Sequence, residues 1–175
     1  MAERPEELFR NLEPLGSATH FAKDIIANIN DVPLFQGLDT PEVLMIARQM
    51  PCYRAPKKLV LLQEGASGDF LLLLLDGEVE VWKLDAQGVN HKLSVAKKGT
   101  TLGEMSLLDG APRSATCITS TAVDFAVLDR SEVNKLLDTN PRLCAKFVLL
   151  LLQTMTRRLR ESTNRMLNFD TAPPV

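Results

Sequence analysis

The pattern of hydrophobic and polar positions changes twice along the chain, at about residue 53 and again at about residue 129. In the first part, residues 6–12 and 21–29 carry apolar side chains at helical spacing and are separated by a break at 15–17. Residues 39–42 combine a capping aspartate, a first-turn proline and an early acid, which predicts a helix that ends at about Met50.

From residue 53 to residue 128 the pattern is one of short apolar or alternating segments separated by Gly, Asp and Pro. Many short strands at near-regular spacing predict a mainly β fold, an antiparallel β-roll or jelly-roll-like barrel with flanking helices. The predicted strands are 58–63, 69–75, 78–83, 92–96, 115–119 and 122–128.

The helical period returns after residue 129, and Asn140-Pro141 divides it into a short helix and a long one over 142–167. Residues 147–152 are apolar on all sides of this long helix, so we expect it to be buried on more than one face. One face would cover the roll, and the other would pair with a second copy in a parallel homodimer. The helix of a buried monomer is the alternative.

These patterns divide the chain into four units. They are an N-terminal helical extension (1–28), a β-roll (29–130), a pair of C-terminal helices for closure and dimerisation (131–168) and a flexible tail (169–175).

Composition argues for a cytoplasmic soluble protein and against a membrane protein or a general DNA-binding protein. The net charge of −2 creates no general attraction for nucleic acid or anionic lipid. The leucine-rich runs are far shorter than the ~20 residues of a membrane span, and the N-terminus has no apolar signal core. Three widely spaced cysteines predict free thiols in a reducing compartment. With two histidines and no readable catalytic set, neither a metal site nor catalysis is expected.

The segment 102–116 carries the candidate chemistry. Gly103 lets a ligand approach the backbone, and the helical turn after it offers N–H groups to one phosphate. Arg113 can complete that seat with its planar, charged fork. Glu104, when ionised, only accepts hydrogen bonds and therefore suits a ribose hydroxyl. This set predicts a nucleotide with a single phosphate; the alternative is an internal Glu104–Arg113 salt bridge that closes a loop.

The same segment resembles the phosphate-binding cassette of the cyclic nucleotide-binding domain family. That family includes the bacterial catabolite activator protein and the regulatory subunits of cAMP-dependent protein kinase. Further similarity at 33–38, 64–69, 77–79 and 128–130 extends the resemblance from residue 29 to about residue 167. The cassette matches are Gly103, Glu104, Leu107, Pro112, Arg113, Ala115 and Thr116.

The resemblance implies a role for each cassette residue. Glu104 accepts the ribose 2′-hydroxyl and Arg113 pairs with an exocyclic phosphate oxygen. The phosphate shell is completed by backbone N–H groups and one hydroxyl, from Met105, Ser114 and Ala115. The resemblance also puts Val81 and Leu93 beside the base, where a plain core role is the alternative.

The long helix resembles that of the catabolite activator protein after Arg157-Arg158-Leu159. In that protein a Thr-Ser pair reads the adenine amino group, with one hydroxyl supplied by the partner subunit. Ser162 and Thr163 stand in the matching register, although about one extra helical turn precedes them in this chain. Solvated hydroxyls on a polar helix end are the alternative.

Taken together, the resemblance implies a non-catalytic receptor that binds cAMP and signals to a downstream protein. A serine at 114 favours cAMP, and cGMP is the other candidate. Two other functions remain open: a ligand-independent interaction scaffold, and a fragment of a transcription regulator without its helix-turn-helix. The chain by itself is expected to bind neither DNA nor membrane.

Overall fold

The computed structural model describes the backbone of residues 4–170 and the side chains of residues 4–164. The helices are α1 (Pro5–Leu8), α2 (Ala22–Ala27), α3 (Thr40–Arg48), α4 (Glu104–Asp109), α5 (Arg130–Thr139) and α6 (Pro141–Asp170). The strands are β1 (Glu13–Ser17), β2 (Pro51–Ala55), β3 (Val60–Leu62), β4 (Phe70–Asp76), β5 (Val79–Leu84), β6 (Asn90–Ala96), β7 (Thr101–Leu102), β8 (Thr116–Thr119) and β9 (Val123–Asp129). Short 3₁₀ turns lie at Ala18–Phe21, Ile29–Asp31 and Pro33–Phe35.

The strands form two antiparallel sheets that face each other, which confirms the predicted mainly β roll with flanking helices. One sheet has the order β1-β2-β9-β4-β7 and the other β3-β8-β5-β6. Both sheets are open, so the fold is a two-sheet roll rather than a closed barrel. The larger sheet ends at β7, which has only two residues because the chain turns into α4 directly after it.

The leucine run in β4 is buried because both faces of its sheet are covered. Its residues alternate between two cores, as the period-2 geometry of a strand requires. Phe70, Leu72 and Leu74 face the space between the two sheets. Leu71, Leu73 and Leu75 face the helices. A continuous apolar strand is therefore the sequence signature of a central strand in a three-layer arrangement.

Helix α6 covers the outer face of the larger sheet and is apolar there for that reason. Phe147 and Leu151 are fully buried in the core shared with α3 and the N-terminal helices. Lys146 of α6 pairs with Glu42 of α3. The predicted start of α3 is confirmed, since Asp39 and Glu42 form a reciprocal capping box.

The N-terminal part differs most from the prediction. Residues 13–17, which include the break predicted at 15–17, form β1 and extend the larger sheet along β2. Strand β2 was also missed, because its residues 51–55 carry no clear alternation of apolar positions. At the other end α6 runs on to Asp170, past the predicted end at 167, and residues 171–175 of the predicted tail lie outside the described residues.

The described part of the chain has free cysteines and lacks a membrane-spanning helix. None of its helices is both long enough and apolar enough to span a bilayer. Cys52, Cys117 and Cys144 are free and buried.

Leu151 and Leu137 provide a matched test of the role of α6 in the core. Leu151→Ala should lower the free energy of unfolding by about 2–5 kcal/mol, since it leaves a cavity in a fully packed site. Leu137→Ala on α5, where the side chain is 54% exposed, should cost at most about 0.5 kcal/mol. Urea denaturation followed by circular dichroism measures both. Equal effects would contradict the packing of α6 against the sheet.

Candidate functional site

The candidate site is built by a sharp change of direction at Gly103. Strand β7 ends at Leu102, Gly103 has a left-handed backbone with φ of +79°, and α4 begins at Glu104. A side chain at 103 would put its Cβ 2.4 Å from Nη1 of Arg113. Glycine is therefore required here both by the backbone conformation and by the close approach of the arginine.

A cavity of about 430 Å³ opens between this turn, the smaller sheet and α6. The cassette side of its wall is largely polar, and the sheet and helix supply mainly apolar side chains. Its lining residues are Leu62, Val81, Leu102, Gly103, Glu104, Met105, Ser106, Arg113, Ser114, Ala115, Cys117, Met155, Arg158 and Leu159.

Arg113 is buried, with only 5% of its surface exposed, and its guanidinium is held in place by several contacts. Its Nη1 donates hydrogen bonds to the carbonyls of Phe70 at 2.8 Å and Gly103 at 2.9 Å. Its guanidinium carbon lies 4.3 Å from the centre of the Phe70 ring, a cation–π contact. The guanidinium is thus oriented by two carbonyls and one aromatic face.

Glu104 is buried as well, and its partner is on α6. One carboxylate oxygen, Oε1, accepts hydrogen bonds from the Thr101 hydroxyl at 2.7 Å and from Nη1 of Arg158. Nη2 of Arg158 also donates to the Thr101 carbonyl at 2.7 Å. Glu104 is therefore paired with Arg158 rather than with Arg113, and the alternative of a loop-closing Glu104–Arg113 salt bridge is wrong.

The end of the cassette is tied to the smaller sheet by Lys83. Its Nζ donates to the Ser114 carbonyl at 2.7 Å and to Glu64 at 2.9 Å. The hydrogen bond from Lys83, followed by one from the Leu84 amide, holds the pKa of the Glu64 carboxyl below its ordinary value. The backbone of Arg113 is fixed in turn by hydrogen bonds with the loop at 65–66.

The inner wall of the cavity is chemically inert. Cys117 lies there beside Val81 and Leu62, and burial raises the pKa of its thiol to about 12, with a smaller contribution from the nearby Glu104 charge. A neutral thiol in such surroundings is a weak nucleophile. This wall is suited to apolar contact with a flat ligand surface.

The structure brings seven of the ten residues predicted from the sequence to the cavity wall: Val81, Gly103, Glu104, Met105, Arg113, Ser114 and Ala115. The other three lie elsewhere. Leu93 is 49% exposed on β6 and does not line the cavity. Ser162 and Thr163 are exposed on α6 beyond the last lining residue, Leu159, and the Thr163 hydroxyl donates to the Leu159 carbonyl.

Sequence reasoning missed the contribution of α6. Met155, Arg158 and Leu159 line the cavity, and Arg158 makes the contact with Glu104. The only signal in the sequence was the pair of arginines in the Arg157-Arg158-Leu159 segment. No local pattern shows which of the two arginines faces Glu104. Among the described residues, no group of three or more His, Cys, Asp and Glu could hold a metal ion.

Comparison with known proteins supports the geometry. The family model for the cyclic nucleotide-binding domain matches residues 54–140. A crystal structure of a cyclic nucleotide-binding domain from Methylobacillus flagellatus KT is 38% identical, with a TM-score of 0.86 and coverage of 99% of both chains.

Two curated relatives are regulatory proteins by name. The cAMP-dependent protein kinase regulatory subunit of Aspergillus fumigatus is 34% identical over 63% of this chain and 26% of its own length. The CRP-like cAMP-activated global transcriptional regulator of Mycobacterium tuberculosis is 25% identical over 76% of this chain and 58% of its own length. This chain therefore spans about a quarter and somewhat over half of these relatives.

The cassette geometry, the family match over the roll and a structural relative that aligns from end to end agree with one another. The resemblance predicted from the sequence is confirmed, and this chain belongs to the cyclic nucleotide-binding domain family as a cyclic nucleotide-binding regulatory domain.

Proposed function

We propose that this domain is a receptor for cAMP that relays binding through α6 to a partner protein. The observation that carries the proposal is the separation of two buried charges on one cavity wall. Arg113 is oriented by carbonyls and the Phe70 ring, and Glu104 by Thr101 and α6. One cation and one hydrogen-bond acceptor side by side match the phosphate and ribose of a cyclic mononucleotide.

The phosphate seat consists of Arg113 with the neighbouring backbone. Met105, Ser114 and Ala115 also line the cavity, and the Ser114 hydroxyl lies 3.8 Å from the Met105 sulfur. A guanidinium that is already oriented loses little further entropy when it binds an oxyanion. In our proposal Arg113 neutralises the cyclic phosphate, and the other three residues complete its shell.

The ribose contact is assigned to Glu104. Both hydrogen bonds to its carboxylate go to Oε1, and within the described residues Oε2 accepts none. An ionised carboxylate has acceptor capacity for more partners than these two. In our proposal Oε2 accepts the 2′-hydroxyl, a group that distinguishes the 3′,5′-cyclic ribonucleotide from its deoxy analogue.

Adenine is the base that we propose. Both curated relatives carry cAMP in their names, and Ser114, rather than threonine, follows the arginine as in cAMP-selective members of the family. Val81 lines the cavity and would contact the base, as would Leu93 if β6 closes towards a bound ligand. Ser162 and Thr163 would reach the base when a second copy brings α6 of the partner over the cavity.

The relay runs through the Glu104–Arg158 contact. Arg158 connects α6 to both the Glu104 carboxylate and the Thr101 carbonyl. A shift in the position of that carboxylate would therefore move the helix directly. A ligand shifts a conformational equilibrium only when it contacts the two states differently. A ribose hydroxyl on Glu104 supplies such a difference, because it adds a contact to the state in which the acid is held by α6.

The homodimer is proposed from an exposed stripe on α6. Six residues recur at alternating spacings of four and three, which is the period of a coiled-coil seam. Leu149, Leu152 and Leu159 in this stripe are 58%, 49% and 68% exposed, so it is the opposite face of the helix from the buried Phe147. The stripe residues are Ala145, Leu149, Leu152, Thr156, Leu159 and Thr163.

The seam and the cavity meet at Leu159, which belongs to both. A partner helix on the stripe would cover this residue and the mouth of the cavity together. We propose accordingly that the roll (29–130) holds the ligand and that the helices (131–168) close the cavity and form the dimer. The segment 1–28 packs on this unit through β1 and Phe9, and the tail 169–175 follows it.

Removing the guanidinium tests the function directly. Arg113→Ala should weaken cAMP binding roughly 30-fold or more, because it deletes a buried charge–charge contact with the phosphate. Isothermal titration calorimetry with cAMP and cGMP measures this, and the wild type should bind cAMP more tightly. Arg48→Ala, which removes an exposed arginine on α3, is the control and should bind as the wild type does.

Equal affinity of Arg113→Ala and wild type would contradict the role of Arg113. A wild type that binds no cyclic nucleotide would instead favour the ligand-independent scaffold.

Gly103 and Gly110 flank α4 and test whether the orientation of Arg113 matters. Both have positive φ, so alanine at either position should cost about 1–2 kcal/mol of stability. Only at 103 does the added Cβ meet Arg113, at 2.4 Å; at 110 its nearest neighbour is 3.6 Å away. Gly103→Ala should therefore weaken cAMP binding roughly tenfold or more, and Gly110→Ala hardly at all. The same calorimetric titration decides, and similar affinities would contradict the proposed seat.

The dimer is tested by placing a charge in the stripe. Leu152→Glu should convert the protein to a monomer, since it buries a carboxylate in an apolar seam. Leu137→Glu, on an equally exposed leucine of α5 outside the stripe, should leave the dimer intact. Sedimentation equilibrium gives the masses, and a monomeric wild type at micromolar concentration would rule out the homodimer.

A further inference from the structure

The N-terminal segment inserts an aromatic side chain between the two sheets. Helix α1 ends at Leu8 and is capped by Phe9, whose amide donates to the Pro5 carbonyl at 2.9 Å. The side chain of Phe9 is 2% exposed and belongs to the core between the sheets. Residues 4–9 thus contribute to the interior of the roll, although they lie far from the cassette in sequence and outside the segment 54–140 matched by the family model.

Phe9 completes a cluster of four aromatic rings. Its ring centroid lies 5.0 Å from that of Phe125, 5.6 Å from Tyr53 and 5.8 Å from Phe70. The contact with Phe70 is edge-to-face, with an interplanar angle of 81°. Such a pair favours one orientation of the rings beyond the general preference for burying them.

Phe70 also supports Arg113, the residue proposed to bind the phosphate. The guanidinium of Arg113 stacks on its ring at 4.3 Å, and the Phe70 carbonyl accepts a hydrogen bond from Nη1 of the same arginine. The contacts therefore run without interruption from Phe9 to Phe70 to Arg113. Loss of the Phe9 ring would leave a cavity behind Phe70, which would no longer be held from that side.

We infer that Phe9 is a positioning residue for Arg113 and that docking of the N-terminal segment is coupled to occupancy of the anion seat. The inference rests on the proposed function, in which Arg113 binds the cyclic phosphate. The coupling is reciprocal, since two events that bias one element must bias each other. A docked Phe9 raises the affinity for the nucleotide, and a bound nucleotide holds α1 in place.

The test is a calorimetric titration of cAMP into full-length variants. Phe9→Ala should bind about fivefold more weakly than the wild type, the lower end of typical coupling between sites. Phe9→Leu, which keeps most of the apolar volume, should bind nearly as the wild type. Phe21→Ala is the matched control: it truncates an aromatic of the same N-terminal extension that packs on the other core, so it should lower the melting temperature without changing affinity.

A double substitution separates positioning from general loosening. In an Arg113→Lys background there is no planar guanidinium to stack on Phe70, so adding Phe9→Ala should cause little further loss of affinity. Additive losses would mean that Phe9 acts on the fold as a whole, and would overturn the inference. An unchanged affinity of Phe9→Ala beside a wild type that binds cAMP would also overturn it while leaving the proposed function intact. A wild type that does not bind overturns the proposed function itself.

Hydrogen exchange on the unmodified protein provides the reciprocal measurement and does not depend on any variant folding. Saturating cAMP should slow exchange of the Leu8 and Phe9 amides, which are hydrogen-bonded to the Arg4 and Pro5 carbonyls. Unchanged exchange at these two amides, with protection of the cassette, would contradict the coupling.

Discussion

The buried guanidinium of Arg113 is the constraint around which this domain is arranged. Taking such a charge out of water is costly unless carbonyls, aromatic faces or anions replace the lost hydration. Here two carbonyls and the Phe70 ring do so, and they come from separate places in the chain: a central strand and the turn at Gly103. Central strand, glycine turn and cassette must therefore be assembled correctly together. The site is preorganised because the contacts that compensate for burying the arginine also fix its orientation.

The second charge, on Glu104, has a different structural role. Its hydrogen-bond partner Arg158 lies 54 residues later in the chain, on a helix that packs on the larger sheet mainly through apolar side chains. Apolar packing is tolerant of small shifts, whereas a hydrogen-bonded ion pair with a buried carboxylate depends on distance and angle. In the proposed function, the Glu104–Arg158 contact sets the position of α6 over the cavity, and the ribose hydroxyl binds the same carboxylate. A small ligand would thereby affect a helix of 30 residues.

The sequence was informative where a residue's function depends on its near neighbours. Gly103, Glu104 and Arg113 lie within one turn-helix-loop, so their spacing already predicted a common site, and the leucine run of β4 is apolar because both of its faces are buried. Other features depend on distant partners. Strand β1 exists because β2 offers an edge, and Arg158 faces Glu104 only because of the register with which α6 crosses the roll. Ser162 and Thr163 could be aligned by resemblance, but their distance from the cavity depends on that same register.

The cassette is consequently held by two elements that lie far from it in the sequence. Helix α6 reaches it through Arg158 and Glu104, and the N-terminal segment reaches it through Phe9 and Phe70. The first connection is polar and acts on the acid; the second is aromatic and acts on the arginine. A ligand that binds both charges would stabilise both connections. Glu104 keeps its position only while α6 is in place, and Arg113 keeps its position only while Phe70 and Phe9 are. In our proposal, binding therefore favours the arrangement in which α6 and the N-terminal segment are both docked on the roll, and a partner that recognises either element would respond to the ligand without contacting it.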